Sequence, residues 1–143
     1  MLPAVLDLAR DGRGAAQRGV PVVILFSLPN CTYCAVVRRN YLVPLTQEGA
    51  VRERPVVRET DMASATPLRG FGNEPSSGKE LAARYKIRVA PSVLVLDGRG
   101  RLLAPVLEGG DVAGMYGAYL DAALAAAHSA LAGGSKSMER TNR

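Results

Sequence analysis

The chain has no tryptophan, one histidine, two cysteines and three lysines among its 143 residues. Each scarcity removes a class of function. A zinc site wants about four ligands, and Cys31, Cys34 and the distant His128 undersupply one. Haem attachment needs a histidine directly after the second cysteine, where Ala35 stands instead. Aromatic residues are 5% of the chain, and the net charge of +5 is scattered: its densest group, Arg52, Arg54 and Arg58, is interrupted by Glu53 and Glu59. A basic stripe with interleaved aromatics is therefore missing, which argues against nucleic acid as a partner. No run approaches the roughly 18–20 uninterrupted apolar residues of a membrane span. Met1-Leu2-Pro3 carries no basic leader and Asp7 breaks the only early apolar run, so no signal peptide is read here. On that point a matured exported chain and a cytosolic one look alike.

What is present is a chain of ordinary soluble composition, 48% hydrophobic and 22% charged. Its length suits one domain with a core that needs no staples. The expected domain is residues 1–132, with a flexible C-terminal tail at 133–143.

Both cysteines lie in one stretch, Pro29-Asn30-Cys31-Thr32-Tyr33-Cys34. The continuously apolar, β-rich run Val22–Phe26 leads in, and the helix-like Ala35–Arg39 leads out. A C-x-x-C that follows a strand and opens a helix is a redox signal. Free N–H groups and the positive dipole end of the helix favour a thiolate on the first cysteine. The thiolate is the attacking species in disulfide exchange. Cys31 is accordingly the expected nucleophile and Cys34, one turn further in, the resolving thiol. Two other readings remain open. Paired thiolates can hold a soft ion such as copper, though no nearby His or Met completes the set. A static disulfide over so short a loop would restrain the unfolded chain little.

Along the chain, Leu2, Val5, Leu6, Leu8 and Ala9 suit one face of a helix over residues 3–18, weakened or bent near Asp11-Gly12-Arg13-Gly14. The run 22–26 reads as a central strand buried on both faces. A helix from Thr32 to about Glu48 carries Val36, Val37, Tyr41, Leu42 and Leu45 toward the core. Pro44 should kink or break it near Val43, and Arg38 and Arg39 read as its solvated face. A second strand covers 51–59, residues 61–77 form the main loop, and 78–85 form a short helix. The strand Ser92–Leu96 turns through Asp97-Gly98-Arg99-Gly100 into a return strand at 101–107, where Pro105 marks a bulge or an edge. Asp111 can cap a last helix that ends at Gly133-Gly134. His128 on that helix reads as surface or packing.

The order α-β-α-β-α-β-β-α, with C-x-x-C after the first main strand, resembles the thioredoxin superfamily over about residues 20–131. The resemblance implies an α/β thioredoxin-like fold: a central four-stranded mixed sheet flanked by helices, with an extra N-terminal helix. A second landmark is Val89-Ala90-Pro91-Ser92. In the superfamily a proline here, usually cis, lies against the active-site sulfurs, and the residue before it pairs with substrate backbone. The resemblance thereby assigns substrate binding to Ala90 and Pro91, and to Thr32 and Tyr33 between the cysteines. Some superfamily features differ. Thioredoxins proper have Trp before the first cysteine and Gly-Pro between the two, and their buried acid falls at Leu25. Tyr33 is similar to the residue glutaredoxins and bacterial disulfide isomerases carry, and Gly109-Gly110-Asp111 is similar to the segment with which glutaredoxins grip glutathione.

The full pattern, Ser27-x-Pro29-x-Cys31-x-Tyr33-Cys34 followed by Arg38-Arg39-x-Tyr41-Leu42-x-Pro44-Leu45 and later Val89-Ala90-Pro91-Ser92-Val93-Leu94-Val95-Leu96-Asp97, looks most like small periplasmic thioredoxins of bacterial sulfur-oxidation operons, the SoxS type. That likeness implies a thiol–disulfide oxidoreductase, a reductase that keeps a partner protein's cysteine reduced. It implies protein substrates with disulfides or modified cysteines, a redox-protein electron donor and a periplasmic location, with no metal or nucleotide cofactor. The alternatives are glutathione-dependent turnover and a non-catalytic chaperone-like or copper-handling module.

Overall fold

A computed structural model describes residues 1–111 and 114–141, with 134–141 as backbone only. Its centre is β1 (Val22–Ser27), all six residues of which are buried. A strand without a polar face must be covered on both sides, and this one is. It pairs in parallel with β2 (Val56–Asp61) and antiparallel with β5 (Ser92–Leu96). β6 (Leu107–Glu108) adds antiparallel to β5, giving a four-stranded sheet in the order β2-β1-β5-β6.

Side chains that alternate along β1 sort the helices. Val23 and Leu25 join Val57, Val93 and Val95 in a core that includes Val37 and Leu42 from the helix after the cysteines. Tyr116, Leu120, Ala123 and Ala127 of α5 (Tyr116–Thr141) complete that face. Val22, Ile24 and Phe26 pack on the other face with Leu8 and Ala15 of α1 (Leu8–Arg18) and Leu81 of α4 (Gly78–Arg84).

The N-terminal expectation is corrected. The helix starts only at Leu8, because the Asp7 carboxylate accepts from Arg10 N–H (3.0 Å) and caps it there. Residues before it run extended along the outer edge of β2: Glu59 N–H donates to Pro3 C=O and Val5 N–H to Glu59 C=O, both 2.9 Å. Leu2 and Val5 thus reach opposite cores, while Leu6 is exposed. Extended backbone satisfies the open edge of β2, which a helix would leave bare.

Four more differences have local causes. The second strand begins at Val56, after Pro55, and Val51–Glu53 form a 3₁₀ turn. The expected loop at 61–77 contains a hairpin, β3 (Pro67–Arg69) with β4 (Pro75–Ser77). Pro44 does not break its helix. α2 (Thr32–Val37) passes through a π segment, Arg38–Leu42, into α3 (Val43–Leu45). Proline has no N–H to give the carbonyl four residues back, and the widened turn lets Val43 N–H reach Arg38 C=O instead. Finally, α5 runs past Gly133-Gly134, since glycine costs a helix only about 1 kcal/mol and no proline follows; residues 142 and 143 of the expected tail lie outside the described residues.

The return strand is interrupted. Leu96 bridges Leu102 and Val93 pairs with Leu107, so one side takes five steps where the other takes three. Pro105 sits in the extra length, as expected of a residue with no ladder donor. The Asp97–Gly100 turn is tied by Asp97, whose Oδ1 accepts from the N–H groups of Arg99 (2.8 Å) and Arg101 (3.0 Å). Gly98 of this turn lies directly on Gly12 of α1, and a β-carbon on either would run into the other's backbone carbonyl. Gly12→Ala should therefore lower stability by about 1–3 kcal/mol through overpacking, despite alanine's better helix propensity. Urea unfolding checks this; a gain in stability would show that the contact yields.

Candidate active site

The loop after β1 delivers Cys31 with Asn30 in the left-handed region (φ 59°), a conformation asparagine tolerates better than most residues. Cys31 is the N-cap of α2, and its Sγ accepts from Cys34 N–H at 3.2 Å. The two cysteines form a disulfide, with Cα atoms 5.2 Å apart. Their exposures differ: Cys31 is half-buried and Cys34 is fully buried. Only the first sulfur can meet a large partner.

Thr32 and Tyr33 are exposed, the Tyr33 ring to 66%. One side of that ring rests on Gly110, where an added β-carbon would stand 3.0–3.2 Å from Tyr33 carbons. The neighbouring Gly109 donates its N–H to Pro91 C=O at 2.8 Å. The Ala90–Pro91 peptide bond is cis. Pro91 is buried, and Ala90, half-buried, has no hydrogen-bond partner for its N–H or C=O among the described residues. Ser92 Oγ donates to Val89 C=O (2.7 Å), tying the turn in front of β5. Since Ser92 pairs with Phe26 near the end of β1, this turn and the cysteine loop share one end of the sheet.

Asp111 is occupied differently. Its Oδ2 accepts from Tyr41 OH and its Oδ1 from Tyr116 N–H (3.1 Å), so it ties the π segment and the start of α5 to the Gly109–Gly110 loop. The Tyr41 hydroxyl, then the Tyr116 amide, hold the Asp111 carboxyl below its usual range. The rings of Tyr41 and Tyr116 meet at 4.9 Å between centroids.

A charged cluster beside Cys31 is not evident from the local sequence patterns. Arg38 is not on a solvated face: its Nε donates to Glu59 Oε1 (2.7 Å) and its Nη2 to Glu59 Oε2 (2.6 Å). Ser27 Oγ donates to Glu59 Oε2 at 2.6 Å. These three residues line an open cleft of about 1070 Å³ together with Cys31, Thr32 and the exposed Arg39. Glu59 lies in register with Leu25, on the face that packs under α2. A signal did exist. Counting two residues on from Val57 places Glu59 on the inward face, and an inward carboxylate needs a cation.

Burial alone would push the Glu59 carboxyl up, but hydrogen bonds from Arg38 and Ser27 and the Arg38 charge hold it below its usual value. A carboxyl with a depressed folded-state pKa adds stability above its unfolded pKa, about 4.3, and loses it as pH falls through the folded value. Glu59→Gln should accordingly lose about 2 kcal/mol at neutral pH in urea unfolding. The gap from the parent protein should narrow as pH drops below about 4.3; a gap independent of pH would mean that charge is not the cause.

A family model described as thioredoxin-like domain matches residues 8–124. Among solved structures, a thioredoxin-fold protein from Helicobacter pylori is 16% identical with a TM-score of 0.56, covering 78% of this chain and 73% of its own. A structure titled DsbH oxidoreductase is 19% identical (TM-score 0.54; 87% and 88% covered). A thioredoxin from Thermus thermophilus is 18% identical (TM-score 0.54; 94% of both chains covered). No curated protein matches the chain. At these identities the structural likeness shows the fold, and the fold is thioredoxin-like, with α1 as its N-terminal helix.

Proposed function

Because this chain belongs to the thioredoxin-like domain family, we propose that it is a thiol–disulfide oxidoreductase that reduces disulfides or modified cysteines of partner proteins. One observation carries the reading: a half-exposed Cys31 at a helix N-cap accepts the Cys34 N–H, and a buried Cys34 is bonded behind it. In the reduced protein that N–H and the helix end favour a thiolate at Cys31. The thiolate attacks one sulfur of a substrate disulfide, making a mixed disulfide and expelling the other sulfur as a thiolate. Cys34, as thiolate, then attacks Cys31 Sγ, closes the Cys31–Cys34 bond and releases the second substrate thiolate. Two electrons pass from the dithiol to the substrate, and a redox-protein donor restores the dithiol.

Substrate backbone is held by the unpartnered N–H and C=O of Ala90, beside Pro91. Thr32 and the exposed ring of Tyr33 form the adjoining surface. The glutathione-dependent alternative is less favoured, because both carboxylate oxygens of Asp111 already serve Tyr41 and Tyr116. A periplasmic setting and a partner in sulfur oxidation belong to the same proposal, supported by the SoxS-type resemblance. Among the described residues no helix is long and apolar enough to cross a membrane.

Reduction of a model protein disulfide tests the chemistry. Cys31→Ser should abolish it, and Cys34→Ser should trap a mixed disulfide visible by mass spectrometry; turnover by Cys31→Ser would refute the assignment. The potential of the pair in a glutathione buffer tests direction. A value near about −250 mV fits a reductase, and one near about −120 mV would make the protein an oxidant.

A further inference from the structure

At the opposite end of the sheet from the cysteines, an open cleft of about 960 Å³ lies where α1 meets the Asp97–Gly100 turn. Its size falls in the range of small-molecule sites, about 300–1,000 Å³. Its walls are partly apolar, with Ala16, Phe71, Leu102 and Leu131 among them, and Leu102 is 46% exposed. Its rim is cationic, with Arg13, Arg84, Arg99 and Arg101 against only Glu74 and Asp97.

The acids here are already engaged. Asp97 accepts from two turn N–H groups and faces Arg101 Nε at 3.4 Å. Glu74 faces Arg84 at 3.7 Å. Asp11, the acid closest to Arg13 in sequence, gives both oxygens to Arg58 at 3.0 Å. Arg13 and Arg99 are left without an ionic partner among the described residues. They follow Gly12 and Gly98 directly in the sequence, and both line the same partly apolar cleft. Both guanidinium groups line the one cleft, and an anion seated there receives charge-assisted hydrogen bonds.

We propose that this cleft binds a small amphipathic carboxylate, its anionic head between Arg13 and Arg99 and its apolar body against Phe71, Leu102 and Leu131. The site is separate from the redox pair. Neither arginine belongs to the cysteine machinery, so its occupancy and the disulfide chemistry are independent readouts.

The test is a ¹⁵N-resolved NMR titration of the full chain at low ionic strength with octanoate, octanol, inorganic sulfate and an acidic peptide. Octanoate should give saturable shifts centred on Gly12, Gly98 and Leu102. The Arg13→Gln/Arg99→Gln double variant should bind it about tenfold more weakly, the loss of roughly one charge-assisted hydrogen bond. Octanol should bind the parent and the variant equally, and disulfide reduction should be unchanged. The proposal fails if octanoate gives no saturable shift there. It also fails if the double variant binds octanoate as well as the parent, if octanol matches octanoate, or if only sulfate or the acidic peptide binds.

Discussion

The constraint on which the rest depends is the burial of β1 on both faces and its pairing on both edges. A six-residue strand with no exposed side chain satisfies its backbone only through its neighbours and its side chains only through two helical layers. Once β2 and β5 flank it, the loop from Ser27 to Cys31 and the turn before Ser92 must leave the same end of the sheet. The C-x-x-C therefore stands on a fixed support. Its position relative to Ala90–Pro91 follows from strand register, not from any contact the loop makes for itself.

The edge strand β2 solves a second problem, that of charged side chains inside a layered protein. In the parallel register, Arg58 shares a face with Ile24 and Glu59 shares one with Leu25. Each points into a layer and each meets an opposite charge from the helix that covers it, Asp11 on α1 and Arg38 at the start of the π segment. Partly buried charges need such partners. The two pairs lock one helix to each face of the same strand. The π segment serves both sides of the site: Arg38 reaches Glu59 in the cleft beside Cys31, and Tyr41 reaches Asp111 in the loop under Tyr33.

Much of this was legible in the sequence. The apolar run at 22–26, the C-x-x-C, the hairpin turn at Asp97–Gly100 and the helix at 78–84 are local patterns, and local propensity and periodicity decide them. The extended N-terminus is not legible there, because Leu2, Val5 and Leu8 fit helical spacing equally well. Only the open edge of β2 selects the extended form. The helix through Pro44 lies where expected, but spacing alone does not show that a π turn carries it past the proline without a break, with Val43 N–H reaching Arg38 C=O.

By itself, then, the sequence determined the redox pair, its place between strand and helix, and the order of elements, because each rests on neighbours along the chain; the class of fold followed from the resemblance that these motifs carry. Only the tertiary structure decided that Glu59 lies under α2 with Arg38 and Ser27, that Gly110 seats Tyr33, that Asp111 joins two helices, and that Gly12 meets Gly98. Those contacts join residues that strand register and helix docking bring together; local spacing marks Glu59 as inward but does not encode the partners.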